Sequence, residues 1–157
     1  MDKSLFEKYK KEMLETYQKR SIKTNSQYVT STGSIIAIVT SFKELYPIEN
    51  ARVKIFTGSK DNMEVLKDVY TDASGRTAKL DLITPPKSLS LNSQSTESVY
   101  SNYNMLVTAD GYLDNIHLNI PVFSGVTSLQ RVNLTPLSIA GENNGPQIFD
   151  ESENYDL

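Results

Sequence analysis

The feature of this sequence that most constrains its fold is a series of short apolar or β-branched segments, each set off by turn residues. Turn signals include Asp72-Ala73-Ser74-Gly75, Ala109-Asp110-Gly111 and Phe123-Ser124-Gly125. A parallel sheet would need helices between its strands, so this rhythm is typical of an antiparallel sandwich or barrel, and we predict a mainly β, antiparallel Greek-key β-sandwich of seven strands. The predicted strands are residues 33–41, 51–56, 65–70, 77–82, 103–109, 115–122 and 129–134.

The N-terminal residues show a different period. Between residues 2 and 20, apolar side chains recur at mostly three- and four-residue steps, with Lys and Glu between them and neither Gly nor Pro. This spacing predicts one amphipathic helix. Its apolar stripe must be covered by something, so we predict that it binds a partner; packing on its own sandwich is the alternative. The stripe is Leu5, Phe6, Tyr9, Met13, Leu14 and Tyr17.

These zones predict the organisation of the chain. We expect an N-terminal helix over residues 1–22, a polar linker over 23–32, the sandwich over 33–137 and an acidic tail over 138–157. Residues 84–102, which contain Pro85, Pro86 and a Ser-rich stretch, interrupt the strand rhythm and are expected to form a long loop.

The C-terminal zone is acidic and contains no basic residue. Its composition predicts disorder in isolation. Ile148, Phe149, Tyr155 and Leu157 lie among the charges, however, and apolar residues in such a tail are predicted partner contacts.

Charge and composition restrict the class of partner and the compartment. The 157 residues suit one domain, and a net charge of −3 makes nucleic acid a poor partner. No apolar run approaches a signal peptide or a membrane span, so we expect synthesis in the cytoplasm without export and no membrane attachment.

Residues able to carry out catalysis are scarce. The chain has one histidine, His117, and no cysteine, so neither a serine nor a cysteine triad can be built in the usual way. Alternation in its strand predicts that His117 lies on the face opposite Ile116, Leu118 and Ile120, exposed or half-exposed. We therefore predict no enzymatic activity and no cofactor.

Two other constellations have a functional and a structural interpretation. Asp61, Asp68 and Asp72 are the nearest candidate for a metal site, but Asp72 fits the first position of a tight turn closed by Gly75, so we predict no metal. Glycan stacking is an alternative role for Tyr100, Tyr103 and Tyr112, although core or corner positions are favoured.

The turns and strands together resemble a known family. Pro47-Ile48-Glu49-Asn50-Ala51-Arg52-Val53, Tyr70-Thr71-Asp72-Ala73-Ser74-Gly75 and Val107-Thr108-Ala109-Asp110-Gly111-Tyr112 are similar to the carboxypeptidase regulatory-like, prealbumin-like sandwich over residues 33 to 136. Leu82-Ile83-Thr84-Pro85-Pro86, Tyr100–Asn104 and Val122–Leu134 look like the accessory domain of spore cortex-lytic enzymes and related wall-associated proteins of spore-forming bacteria. The resemblance implies an accessory, non-catalytic role.

These observations predict a docking module of a multiprotein assembly that uses its terminal helix and its acidic tail. The expected settings are spore or cell-wall machinery, or the baseplate of a phage-tail-like particle. Two alternatives remain: a module that binds peptidoglycan or another carbohydrate, and a pro-domain-like regulator of a lytic hydrolase.

Overall fold

The computed structural model describes residues 4, 7–12, 31–86, 99–142 and 145–152. Residue 4 and residues 7–12 are helical, in agreement with the predicted N-terminal helix, and a one-turn helix, Leu137–Ala140, follows the last long strand. The strands are β1 (Thr32–Ser41), β2 (Tyr46–Pro47), β3 (Arg52–Ser59), β4 (Asn62–Tyr70), β5 (Leu80–Ile83), β6 (Tyr100–Thr108), β7 (Asn115–Phe123), β8 (Thr127–Leu134) and β9 (Gln147–Asp150).

The strands form two sheets, and the predicted mainly β sandwich is confirmed. In the first sheet β1 is central, with β8 parallel to it on one side and β2 and β5 antiparallel on the other. The second sheet has the order β4-β3-β6-β7-β9, in which only the β7–β9 pair is parallel among the described strands. All seven predicted strands are present.

Apolar side chains on the inner faces of both sheets form the core. Ile35, Ala37 and Val39 alternate along β1 and are fully buried, and Val53 and Ile55 of β3 face them from the second sheet. Burying a side chain of this size contributes about 1.5–3 kcal/mol, so these alternating positions account for much of the driving force for folding.

A β-bulge in β7 changes which residues face the core. Tyr103 pairs with Ile120 but Met105 pairs with His117, so β7 contains one extra residue between these pairs. Asn119 lies at this point with a φ of 58°. The extra residue reverses the alternation, so that His117 shares the inner face with Ile120.

The prediction that His117 is exposed or half-exposed was therefore wrong, because its side chain is only 6% exposed. Strict alternation along residues 115–122 would have placed Ile120 on the face opposite His117. The Asn119 bulge abolishes that alternation, and its backbone N–H donates to the side-chain oxygen of Asn104 at 3.0 Å.

Two short strands were not predicted. β2 has two residues and lies between the first two predicted strands, whereas β9 lies in the segment whose acidic composition indicated disorder. β9 pairs with β7 over Gln147–Asp150, so part of the predicted tail belongs to the second sheet. Composition misses such a strand because the edge of a folded sheet supplies the hydrogen-bond partners that an isolated segment lacks.

The Asp72 turn has the predicted geometry. The Asp72 carboxylate accepts a hydrogen bond from the backbone N–H of Ser74 at 2.9 Å, and Gly75 has a φ of 78°. Hydrogen bonds from the Ser74 hydroxyl and then from the Arg76 backbone hold the pKa of Asp72 below its usual value. A Cβ atom at Gly75 would lie 2.4 Å from the carbonyl oxygen of Val39.

We expect Gly75→Ala to lower the free energy of unfolding by about 2–4 kcal/mol, because it combines a positive φ with a backbone clash. Gly111→Ala is the matched control, since Gly111 also has a positive φ, 84°, but an added Cβ would meet nothing within 4 Å. Urea unfolding of both variants measures the difference. Equal destabilisation would contradict a contribution from the close approach to Val39.

Candidate docking surface

The one-turn helix is fixed against the β6–β7 turn. The backbone N–H of Leu137 donates to the carbonyl of Gly111 at 2.9 Å, and Tyr112 forms an isolated bridge with Pro136. Pro136 directly precedes the helix, and Gly141 ends it with a φ of 69°. Both residue types fit these positions, because proline has a preset φ and glycine tolerates a positive one.

The start of β9 is fixed by polar contacts to β7 and to the end of β8. The backbone N–H of Gln147 donates to the carbonyl of Asp114 at 2.9 Å. Its side-chain oxygen accepts hydrogen bonds from the Thr135 hydroxyl at 3.1 Å and from the Asn115 amide at 3.4 Å. These contacts hold the strand in one register.

The far end of β9 is fixed by a cluster around His117. The Nδ1 atom of His117 lies 2.7 Å from Oε1 of Glu151, and the Phe149 ring stacks on the imidazole with centroids 5.1 Å apart. Gln130 of the opposite sheet also donates to Glu151, at 3.1 Å. Since this cluster links both sheets to residues 149–151, we interpret His117 as the anchor of β9.

Asp150 adds a further contact next to the bulge. Its carboxylate accepts hydrogen bonds from the Ser152 hydroxyl and from the Asn119 side chain. These two bonds, in that order, lower the pKa of Asp150. The carboxylate therefore stays ionised at neutral pH and contributes negative charge to this edge.

An open groove lies between the one-turn helix and β9. Its cavity volume is about 440 Å³, and Leu113, Ala140, Pro146, Ile148 and Phe149 supply its apolar lining. Of these, Ile148 is exposed by 57% and Phe149 by 45%, and on the adjoining one-turn helix Leu137 is exposed by 45% and Ile139 by 61%. We call these five lining residues, together with Leu137 and Ile139, the C-terminal groove.

The sequence around the C-terminal groove is strongly acidic. From residue 110 to the end of the chain there are seven Asp and Glu residues and one basic residue, Arg131, which gives a formal charge of −6. Asp114 and Glu142 are exposed next to the lining residues. Arg131 contacts Glu44 at 3.3 Å, so its charge is already partly balanced.

The structure describes only some of the predicted partner-binding residues. Ile148 and Phe149 lie in β9 and line the C-terminal groove. Tyr9 lies in the helical residues 7–12 and is 56% exposed. Leu5, Phe6, Met13, Leu14, Tyr17, Tyr155 and Leu157 lie outside the described residues.

The three tyrosines proposed as a glycan platform do not lie together. Tyr103 is 7% exposed, and its hydroxyl donates to the carbonyl of Ile83. Tyr112 is partly buried against the core at the β6–β7 turn, whereas Tyr100 begins β6 at the other end of that hairpin. The three tyrosines therefore do not form one platform, because Tyr100 and Tyr112 lie at opposite ends of the β6–β7 hairpin and Tyr103 is buried in the core.

Tyr100 nevertheless takes part in a surface aromatic pair. Its ring lies 5.3 Å from that of Phe123, at an interplanar angle of 51°. These rings and Pro121, with the amides of Asn102 and Asn119, line a small cavity of about 200 Å³. This arrangement was not predicted, because the sequence gives no indication that Tyr100 pairs with Phe123 across β6 and β7.

Sequence reasoning also missed Leu137, Ile139 and a second apolar surface. Phe42, Leu45 and Tyr46 are exposed by 46%, 73% and 62% at the β1–β2 turn, where Phe42, Lys43 and Glu44 have positive φ values. The apolar pair Leu137 and Ile139 directly after Pro136 was the available signal for the C-terminal groove.

Two of the aspartates considered as metal ligands, Asp68 and Asp72, take part in other contacts. Asp68 forms a bidentate contact with Arg52, at 2.9 and 2.7 Å, and this hydrogen bonding lowers the pKa of Asp68. Within the described ranges, no group of three or more His, Cys, Asp or Glu side chains is placed to hold a metal ion. No described helix is long and apolar enough to cross a bilayer.

Comparisons with known proteins give only distant structural likenesses. No family model and no curated protein matches the sequence. Solved structures with similar folds include the Bacillus anthracis TIE protein (16% identity, TM-score 0.42), the minor pilin GBS52 of Streptococcus agalactiae (12%, 0.41) and the mercury-inhibited catechol 1,2-dioxygenase of Acinetobacter sp. ADP1 (14%, 0.43).

Each match covers 68% of this chain, and the chain spans 17%, 45% and 53% of those three structures respectively. At these identities and TM-scores the likenesses carry no conclusion about activity, ligand or partner.

We expect Glu151→Ala to loosen β9, because it removes the contacts of Glu151 with His117 and Gln130. The free energy of unfolding should fall by about 1–2 kcal/mol, and hydrogen exchange at amides 148–150 should accelerate more than at β3. Glu142→Ala, which removes an exposed carboxylate nearby, is the control. Unchanged exchange in β9 of the Glu151 variant would show that the cluster does not anchor it.

Proposed function

We propose that this chain is a non-catalytic docking module of a multiprotein assembly, with the sandwich as a rigid body and its two terminal regions as binding elements. The observation that carries the proposal is the C-terminal groove, where the exposed side chains of Ile148 and Phe149 line the cavity. Leu137 and Ile139 are exposed on the one-turn helix that supplies Ala140 to the same lining. A group of large exposed apolar side chains around a cavity is typical of a protein interaction site.

The rigidity of the surface supports the same proposal. Helix and strand are each fixed by backbone hydrogen bonds, through Leu137 to Gly111 and through Gln147 to Asp114. A preformed surface loses little conformational entropy on binding. The groove is therefore suited to receive an amphipathic helix or an extended apolar segment from a partner.

The setting we propose is spore or cell-wall machinery, or the baseplate of a phage-tail-like particle, after synthesis in the cytoplasm. Its support is the sequence resemblance of residues 33–136 to accessory sandwiches of the carboxypeptidase regulatory-like family. An accessory module in such an assembly needs stable surfaces rather than a reactive centre, which agrees with the polar side chains being engaged in structural contacts at Asp68, Asp72 and His117.

A second candidate function, binding of peptidoglycan or another carbohydrate, is favoured by the cavity at Tyr100 and Phe123. Aromatic rings stack on the apolar faces of sugars, and the amides of Asn102 and Asn119 offer donors and acceptors to hydroxyl groups. We rank this function below docking because the cavity is small, about 200 Å³, and one ring pair lines it.

If the C-terminal groove is the docking site, the double variant Ile139→Asp/Ile148→Asp should not co-purify with partners from the native assembly. Both side chains are more than half exposed, so the melting temperature should change by only a few degrees. Leu129→Asp, at a strand position exposed by 51%, is the matched control. Full retention of partners by the double variant would overturn the assignment of the groove. Deleting residues 141–157 is unsuitable because it removes β9.

Carbohydrate binding predicts that the protein sediments with purified peptidoglycan and that Tyr100→Ala weakens this by about tenfold, the loss expected for one stacking contact. Tyr70→Ala, at an exposed tyrosine on β4, is the control. Equal binding by both variants would remove the Tyr100 site, and no binding by the unmodified protein would remove this function.

A further inference from the structure

We propose that the C-terminal groove binds the N-terminal segment, residues 2–20, of a second copy of this chain, so that copies associate head to tail. The inference rests on the proposed docking function and names the occupant of that site. Three observations carry it: the character of the groove, the complementary character of the segment, and the distance between the two on one copy.

The groove and the segment have opposite charges. Residues 110–157 have a formal charge of −6, with Asp114 and Glu142 exposed next to the groove. Residues 2–20 contain six basic and four acidic side chains, a formal charge of +2. Such complementarity speeds the association of the segment with the groove and fixes the orientation of the docked segment.

The apolar surfaces also correspond. The segment repeats apolar residues at helical spacing, and its described residues 7–12 are helical with the side chain of Tyr9 exposed by 56%. The groove presents Ile148 and Phe149 on one side and the one-turn helix on the other. An amphipathic helix laid into an apolar groove buries both surfaces together.

The groove and the start of β1, to which the segment is joined, lie at opposite ends of the sandwich. The first residues of β1 adjoin the end of β7, since Gly125 donates to Thr32, whereas the groove adjoins the start of β7, where Asn115 pairs with Gln147. β1 runs between these ends over 10 residues, roughly 30 Å.

This separation favours a second copy over the same chain. Eleven residues, 21–31, connect the segment to β1. A random coil of that length spans roughly 18 Å on average and roughly 38 Å when fully extended. Docking within one copy with the C-terminal end of the segment in the groove would therefore require a nearly extended connection, whereas docking on a neighbour has no such constraint in either orientation.

Head-to-tail contacts join two different surfaces, so they leave one free groove and one free segment at the ends of every open chain of copies.

The association should weaken with salt because opposite charges contribute to it. Sedimentation equilibrium of the purified full-length protein should show a mass that rises with concentration, and raising NaCl from about 50 to about 500 mM should weaken association by about tenfold.

Two variants, each defective on one side, test the geometry. Lys10→Glu/Lys11→Glu alters the segment and Ile148→Asp alters the groove, and each should weaken self-association by about tenfold or more. Mixed together, they should form one-to-one dimers, because the first retains a working groove and the second a working segment. Lys60→Glu/Lys79→Glu has the same charge change as the segment variant and is its control, and Leu129→Asp is the control for the groove variant.

Circular dichroism melting confirms that each variant keeps its sandwich. The inference is overturned if the unmodified protein is monomeric or if self-association survives in either variant. It is also overturned if the two variants do not combine when they are mixed. These results are distinct from failure of the docking function, which is measured by partner retention from the native assembly and stands if a different protein occupies the groove.

Discussion

The packing of two inner sheet faces against each other supports every other feature of this structure. β1 is central to one sheet, and its buried residues Ile35, Ala37 and Val39 face β3 and β6 of the other. This interior orders the start of β7 and the end of β8. These strand ends hold the one-turn helix and β9 in place. The surface that we assign to docking therefore depends on core packing several residues away from it.

His117 shows how one local irregularity links the core to that surface. The bulge at Asn119 turns the imidazole inward, where Gln130, Phe149 and Glu151 surround it. A histidine in this position holds an edge strand against both sheets. Its role in the structure is that of an anchor, and the residues that it anchors, 149–151, border the C-terminal groove.

The sequence allowed the fold to be predicted better than the site. The seven predicted strands follow from alternation and turn residues because both signals are local. β9 and the Asn119 bulge depend on tertiary contacts: the edge of β7 stabilises an acidic segment, and Asn104 satisfies the bulged backbone. Ile148 and Phe149 were predicted as partner contacts because they are apolar residues among the charges of the tail, but Leu137 and Ile139 join them only after the chain folds.

The most direct test of the central claim is hydrogen exchange of the full-length protein within its native assembly, compared with the purified protein. The account predicts that protection is gained at residues 137–140 and 147–150, and not along β4 or the β1–β2 turn. Protection gained along β4 or at Phe42 and Tyr46, with residues 137–150 unchanged, would contradict it.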